Sequence, residues 1–123
     1  MLSHRLIFIR HGETDWNAER RLQGHQDIPL NAKGEWQAGE AGRRALKILG
    51  PRAIESEAFR YVSSPLSRTQ QTMRLARAAM GLTPEPYEVD PRLIELTFGE
   101  WEGLTWPEVQ ARSPQSRLEH GIA

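Results

Sequence analysis

The sequence contains no cysteine, and that absence removes several kinds of chemistry at once. Disulfide bonds, thiolate catalysis and zinc sites built on cysteine are excluded, although a chain without cysteine is compatible with any redox compartment. An excess of charge is also lacking, because 16 basic residues balance 16 acidic ones. No electrostatic argument therefore favours nucleic acid or an anionic membrane as a partner.

Long hydrophobic segments are lacking as well. The longest apolar run, residues 6–9, is far too short for a secretory signal or a membrane span. We therefore predict a soluble cytoplasmic protein that binds neither membranes nor nucleic acids. With 123 residues, the chain has the size of a single domain or of part of one.

Strands and helices are predicted to alternate along the chain. The apolar run is typical of a strand buried on both faces. Strands are predicted at residues 6–9, 59–63 and 86–89. Helices are predicted at residues 31–49, 67–80 and from Thr105 towards Arg112. Parallel strands need a connection long enough to hold a helix, so this order predicts an α/β fold with a mostly parallel sheet flanked by helices.

The end of the chain adds little to that sheet. Residues 113–123 are polar, include Pro114 and have no strand character. Three strands and two long helices are few for an α/β domain, because a parallel sheet needs helices that cover both of its faces. We therefore expect a single domain over residues 1–123 that lacks its C-terminal part.

A cluster of reactive side chains, Arg-His-Gly-Glu-Thr at residues 10–14, directly follows the first predicted strand. In open α/β sheets, ligands bind at the carboxyl ends of strands. A neutral imidazole there can attack phosphorus if a hydrogen bond to its other nitrogen fixes the tautomer. Arg10 disfavours the imidazolium form of His11 and so keeps the lone pair on the attacking nitrogen. Taken alone, His11 would more often be an ordinary turn residue.

A second cluster, residues 63–72, follows the second predicted strand and places Arg68 in the first turn of a helix. A guanidinium group is permanently charged and can hold two phosphoryl oxygens with parallel hydrogen bonds. Arg10 and Arg68, at two adjacent strand ends, would form a clamp for a transferring phosphoryl group. Without the first cluster, Arg68 would be interpreted as a solvated helix charge.

A third cluster, residues 90–103, surrounds several carboxylates with aromatic and apolar residues. A partly desolvated carboxyl group holds its proton more tightly and can hand it to a leaving oxygen. Composition alone leaves Glu95, Glu100 and Glu102 open as that acid, and ordinary loop charges are an equal alternative.

Together, the three clusters resemble the histidine phosphatase superfamily, also called the phosphoglycerate mutase-like family, over about residues 6–109. The positions that carry the resemblance are residues 10–12, Thr14, Trp16, Asn17, Gln23, Gly24, Pro29, Leu30, Gly34, residues 63–66, Arg68, Gln71 and Thr72.

The resemblance implies a role for each matching position. His11 is similar to the phosphorylated nucleophile, and Arg10 and Arg68 are similar to the two arginines that clamp the phosphoryl group. Glu95 matches the general acid, which would decide among the three carboxylates. The positions that match the lining of the phosphate and substrate entrance are Asn17, Gln23 and Gly24.

The implied reaction is transfer of a phosphoryl group from a small phosphorylated metabolite to His11 while Glu95 protonates the leaving alcohol. Water then attacks the phosphohistidine, and neither a metal nor a cofactor is implied. Residues 98–104 resemble the phosphatase branch more than the mutase branch, which favours phosphomonoester hydrolysis. A cofactor-dependent phosphoglycerate mutase and an inactive phospholigand-binding remnant are the alternatives.

The chain departs from the family near its end. The family has a second site histidine, which follows a buried strand and precedes a glycine. His120 precedes Gly121 here, but the residues before it lack strand character, so we interpret the match as accidental. We expect a truncated chain rather than a natural variant completed by a partner chain. Such a chain would be a poor catalyst, and its exposed apolar surface is compatible with a homo-oligomer.

Overall fold

The computed structural model describes residues 6–24, 26–93 and 102–112. The helices in these segments are α1 (Asp15–Ala18), α2 (Ala32–Leu49), α3 (Pro51–Glu55), α4 (Ser67–Ala79) and α5 (Trp106–Arg112). The strands are β1 (Val62–Ser63) and β2 (Glu88–Val89), and a 3-10 turn follows at Pro91–Leu93. None of the helices in the described part of the chain is long and apolar enough to cross a membrane.

The two strands lie side by side and run parallel, with Val62 opposite Glu88 and Ser63 opposite Val89. Helix α4 connects them, as a parallel pair requires. The predicted α/β class, with a parallel sheet flanked by helices, is therefore confirmed. Both strands are shorter than the five and four residues predicted for them, because only two residues of each form the ladder.

The long helices begin and end where local signals predicted. The side chain of Asn31 caps α2 by accepting a hydrogen bond from the Gly34 amide at 2.8 Å. The helix ends at Gly50, whose φ of 86° lies in the left-handed region that favours glycine. Helix α4 also agrees with the prediction to within one residue, and α5 begins immediately after Thr105.

A small core lies between α2 and α4. Its buried members are Ala45, Ile54, Ala76 and Met80, and partly buried apolar residues surround them. The two helices approach closely at Gly42, where an added Cβ would lie 2.3 Å from the carbonyl oxygen of Ala76. A glycine that weakens α2 as an isolated helix therefore permits its packing on α4.

The prediction of a buried strand at residues 6–9 is wrong. This segment has no regular secondary structure, and the side chains of Leu6 and Phe8 are 74% and 87% exposed. A strand needs a neighbour for its hydrogen bonds and cover for its faces. Within the described residues, β1 and β2 pair only with each other, so the apolar run lacks the partner that would bury it.

The segment that contains α5 packs against the loop after α1. Arg21 forms an antiparallel bridge with Thr105, and Leu22 exchanges backbone hydrogen bonds with Gly103 and Leu104 at 2.7 and 2.9 Å. This contact joins residues that are about eighty positions apart in the sequence. It brings the end of the third cluster beside the loop that follows the first.

Candidate active site

The imidazole of His11 is oriented by its own loop. Its Nδ1 lies 2.7 Å from the carbonyl oxygen of Gly12. A carbonyl only accepts hydrogen bonds, so Nδ1 is the donor and carries the proton in this contact. Nε2 of the neutral ring then carries the lone pair, which is the tautomer that a nucleophile attacking through Nε2 needs.

The backbone on either side of Gly12 is held by the two long helices. The Gly12 amide donates to Oγ1 of Thr72 on α4 at 3.0 Å, and the Glu13 amide donates to Oε1 of Gln37 on α2 at 2.9 Å. A Cβ at Gly12 would lie 2.1 Å from the Gly34 carbonyl oxygen, which makes glycine necessary here. The loop therefore lies directly on α2.

Glu13 attaches the same loop to the beginning of α2. Its carbonyl oxygen accepts from the Asn31 amide at 2.9 Å, and its carboxylate accepts from the Asn31 side chain at 3.1 Å. Nζ of Lys33 lies 3.8 Å from the same carboxylate. The residue that caps α2 thus also anchors the His11 loop.

Thr14 is completely buried and organises the next turn. Its hydroxyl lies 2.6 Å from Oε1 of Gln23, to which it donates, and it accepts from the Asn17 amide at 3.1 Å. The side chain of Asn17 accepts from the Thr14 amide in return, which completes a capping box at α1. Two of the predicted binding residues, Asn17 and Gln23, are therefore joined through Thr14.

A cleft of about 340 Å³ opens beside the imidazole. Its lining residues are Arg10, His11, Gly12, Glu13, Asn17 and Gln37. The structure thus brings three predicted site residues to one cleft, namely His11, the exposed Arg10 and the half-buried Asn17. Gln23 is buried against Thr14 and is not among the lining residues.

Gln37 was missed at the sequence level. It follows the capping residue Asn31 and the close-packed Gly34 at steps of three along α2, so the three share one helical face. That spacing was the available signal. It carries no chemical meaning until the His11 loop is known to lie on the same face.

Arg68 is fully buried, with 0% of its surface exposed. Its Nη1 donates to the Gln26 carbonyl at 2.6 Å and its Nη2 to the Gly24 carbonyl at 2.7 Å. The alternative of a solvated helix charge is therefore wrong. The structure places the guanidinium against the backbone carbonyls of Gly24 and Gln26, and Arg68 is not among the residues that line the cleft with Arg10.

The loop that Arg68 holds is attached to α4 a second time. Asp27 accepts from the Ser67 amide at 2.6 Å and from the Ser67 hydroxyl at 2.8 Å. A carboxylate at a helix N-terminus is favourable because the first amides and the helix dipole attract it. Gly24, another predicted site residue, adopts a φ of 54° in this loop. This backbone conformation lies in the left-handed region that favours glycine.

The candidate acids are only partly covered by the structure. Glu95, the predicted general acid, and Glu100 lie outside the described residues, as does His120. Glu102 is described, and its Oε1 accepts from Nε2 of Gln26 at 3.2 Å. The assignment of the acid to Glu95 stays a prediction.

An α/β fold with a histidine-centred cleft at its first loop agrees with the comparison by sequence. The chain belongs to the histidine phosphatase superfamily (branch 1), whose family model matches residues 6–121. Among curated proteins, it is 46% identical over 97 residues to the probable phosphoglycerate mutase GpmB of Enterobacter sp. (strain 638). That alignment covers 79% of this chain and 40% of the relative, so the chain spans well under half the length of the curated relatives it matches.

Solved structures of the family show the same fold. A mycobacterial glucosyl-3-phosphoglycerate phosphatase in complex with VO3 superimposes with a TM-score of 0.68 at 36% identity, over 89% of this chain and 49% of that one. The phosphoserine phosphatase of Entamoeba histolytica in complex with 3-phosphoglyceric acid gives a TM-score of 0.67 at 28% identity, over 90% and 49% of the two chains. Each superposition thus covers most of this chain and about half of its neighbour.

Proposed function

We propose that this chain belongs to a phosphomonoester hydrolase that works through a phosphohistidine at His11. The observation that carries the proposal is the hydrogen bond from Nδ1 of His11 to the Gly12 carbonyl, beside a cleft that Arg10 also lines. The bond selects the tautomer with its lone pair on Nε2, and the guanidinium attracts a phosphoryl group. The proposed nucleophile and the proposed phosphate-binding charge therefore line the same cleft.

The proposed reaction has two displacements at phosphorus. Nε2 of His11 forms a bond to phosphorus while the bond from phosphorus to the ester oxygen breaks, and Glu95 gives its proton to the leaving alcohol. Water then attacks the phosphohistidine, passes a proton to the Glu95 carboxylate and releases phosphate with the neutral imidazole. The proposal invokes no metal or cofactor, because Arg10 and Arg68 would supply the charge stabilisation.

The remaining predicted residues have supporting places in the proposal. Asn17 would contact the substrate, because it lines the cleft. Arg68 holds the carbonyls of Gly24 and Gln26 with its described bonds, and clamping the phosphoryl group would require its guanidinium to turn from these carbonyls towards the cleft. Gln23 and Gly24 would shape the entrance through Thr14 and through the loop that Arg68 holds.

The substrate class is a small phosphorylated metabolite. A cleft of about 340 Å³ has the size of a small-molecule site. The names of the relatives refer to phosphoglycerate, glucosyl-3-phosphoglycerate and phosphoserine, which are small phosphate esters. We also propose that residues 1–123 form one domain that acts in the cytoplasm. The exposed side chains of Leu6 and Phe8 are compatible with a homo-oligomer.

A mutase is the second candidate, and the name of the curated relatives favours it. A mutase returns the phosphoryl group from histidine to an organic acceptor, whereas a hydrolase gives it to water. Measuring phosphate release and the interconversion of 3- and 2-phosphoglycerate in the same samples separates the two. Phosphate release without interconversion is the result expected for a hydrolase.

The direct test is to trap the intermediate. The chain is mixed with a radiolabelled small phosphate ester and quenched in alkali, where phosphohistidine survives. We expect label on His11, no label in His11→Asn, and normal labelling in His120→Asn, the matched change at a histidine to which we assign no role. Label that persists in His11→Asn would contradict the proposal, and ester binding without any label would favour the non-catalytic remnant.

A further inference from the structure

The carbonyl that selects the tautomer of His11 belongs to the peptide unit between Gly12 and Glu13. A peptide unit is planar, so the direction of its N–H sets the direction of its C=O. In this unit the C=O accepts from His11 Nδ1 at 2.7 Å, and the N–H donates to Oε1 of Gln37 at 2.9 Å. One side chain of α2 thus holds the opposite end of the group that orients the imidazole.

The Gly12–Glu13 peptide needs such an anchor because the residue that supplies its carbonyl is a glycine. Gly12 must be glycine to lie on the Gly34 carbonyl, and glycine leaves the backbone free to rotate over a wide range of φ and ψ. Thr72 binds the amide of Gly12, but that amide belongs to the preceding peptide unit. Gln37 is therefore the described side chain that holds the unit carrying the selecting carbonyl.

We infer that Gln37 is a positioning residue that maintains the Nδ1-protonated tautomer of His11 through the Gly12–Glu13 peptide. A hydrogen bond at the N–H also polarises the peptide and strengthens its carbonyl as an acceptor. Both effects favour a proton on Nδ1 and a lone pair on Nε2. The inference rests on the proposed function, since the tautomer affects the reaction only if His11 is the nucleophile.

The chain offers a matched control for this bond. Oε1 of Gln71 on α4 accepts from the backbone amide of Leu30 at 2.8 Å. Gln37 and Gln71 are both half-buried on long helices, and each binds one loop amide. Replacing either glutamine with methionine removes the same kind of bond, but only the Gln37 bond leads to His11.

The experiment measures the His11 tautomer by nitrogen NMR of the full chain labelled with ¹⁵N-histidine, at about pH 8, where an ordinary imidazole is neutral. His11→Asn assigns the signal. We expect wild type and Gln71→Met to have the proton on Nδ1. Gln37→Met removes the bond to the Glu13 amide, and so does Gln37→Asn, whose side chain is too short to reach it. In both variants, the ratio of the Nδ1-protonated to the Nε2-protonated tautomer of His11 should fall about fivefold, which is the effect of one hydrogen bond.

The outcomes separate this inference from the proposed function. An Nε2-protonated His11 in wild type, or an unchanged ratio in a folded Gln37 variant, would overturn the inference. Because the wild-type spectrum alone can reject it, unfolding of both variants does not leave it without a test. Failure of the labelling experiment with a ratio that still depends on Gln37 would reject the function and keep the positioning role.

Discussion

Two glycines of α2, three residues apart, should respond in opposite ways to the same substitution. At Gly42, an added Cβ would lie 2.3 Å from the Ala76 carbonyl oxygen and 2.8 Å from its Cα. At Gly39, the nearest neighbours are the guanidinium atoms of Arg43, beginning at 3.4 Å. The obstacle at Gly42 is backbone inside a packed helix, whereas the neighbour at Gly39 is the end of a flexible side chain.

The magnitudes follow from these two environments. Alanine in a helix interior is favoured over glycine by about 1 kcal/mol, and both positions gain that amount. Ordinary overpacking costs about 1–3 kcal/mol, and Gly42→Ala should be at the upper end because α2 and α4 must move apart. We therefore expect Gly42→Ala to lower the free energy of unfolding by about 2 kcal/mol and Gly39→Ala to raise it by about 0.5–1 kcal/mol.

Urea denaturation followed by circular dichroism measures both changes under identical conditions, because α2 and α4 supply most of the helical signal. The m-value shows whether the two variants unfold from equally compact states. If Gly42→Ala is as stable as Gly39→Ala, the close contact of α2 with α4 and the core built on it are wrong.

Two further predictions concern charged groups. Arg68→Met should lower the free energy of unfolding by about 3 kcal/mol, because it removes two buried charge-assisted hydrogen bonds to backbone carbonyls. The control Arg10→Met changes an exposed arginine of the cleft and should leave the free energy of unfolding in urea unchanged. Equal losses in the two variants would refute the buried position of Arg68. Hydrogen bonds from Arg92 lower the pKa of Asp90 from 3.8 to about 2, so its stabilising effect is present above about pH 4 and is lost as pH falls through 2. Carboxyl-carbon NMR should show this pKa returning towards 3.8 in Arg92→Gln, and a midpoint that does not move would exclude the pair.

The long helices α2 and α4 could be predicted well because their signals are local, whereas the short helices α1 and α3 were not predicted. Asn31 satisfies an amide three residues ahead of it, and Gly50 ends α2 through its own backbone conformation. Neither signal depends on distant parts of the chain. The strands were predicted less well, since a strand forms only against another strand, and the run at residues 6–9 has none among the described residues.

The candidate site, like the fold, could be predicted from the sequence only in part. The motif at residues 10–14 and the position of Arg68 were visible in the sequence, because they follow predicted strands and match a family pattern. The burial of Arg68 against Gly24 and Gln26 was not, since it joins residues more than forty positions apart. Gln37 was not visible either, because its bond to Glu13 exists only when α2 lies along the loop.

The sequence by itself thus determined the α/β class, the ends of the long helices and the family to which the chain belongs. Those properties depend on caps, periodicity and motifs, which act over a few residues. Tertiary structure alone decided that the apolar run at residues 6–9 stays exposed, that Arg68 is buried and that Gln37 holds the peptide that orients His11. Each of these depends on hydrogen bonds and packing between distant segments, which form only when the helices and loops have come together.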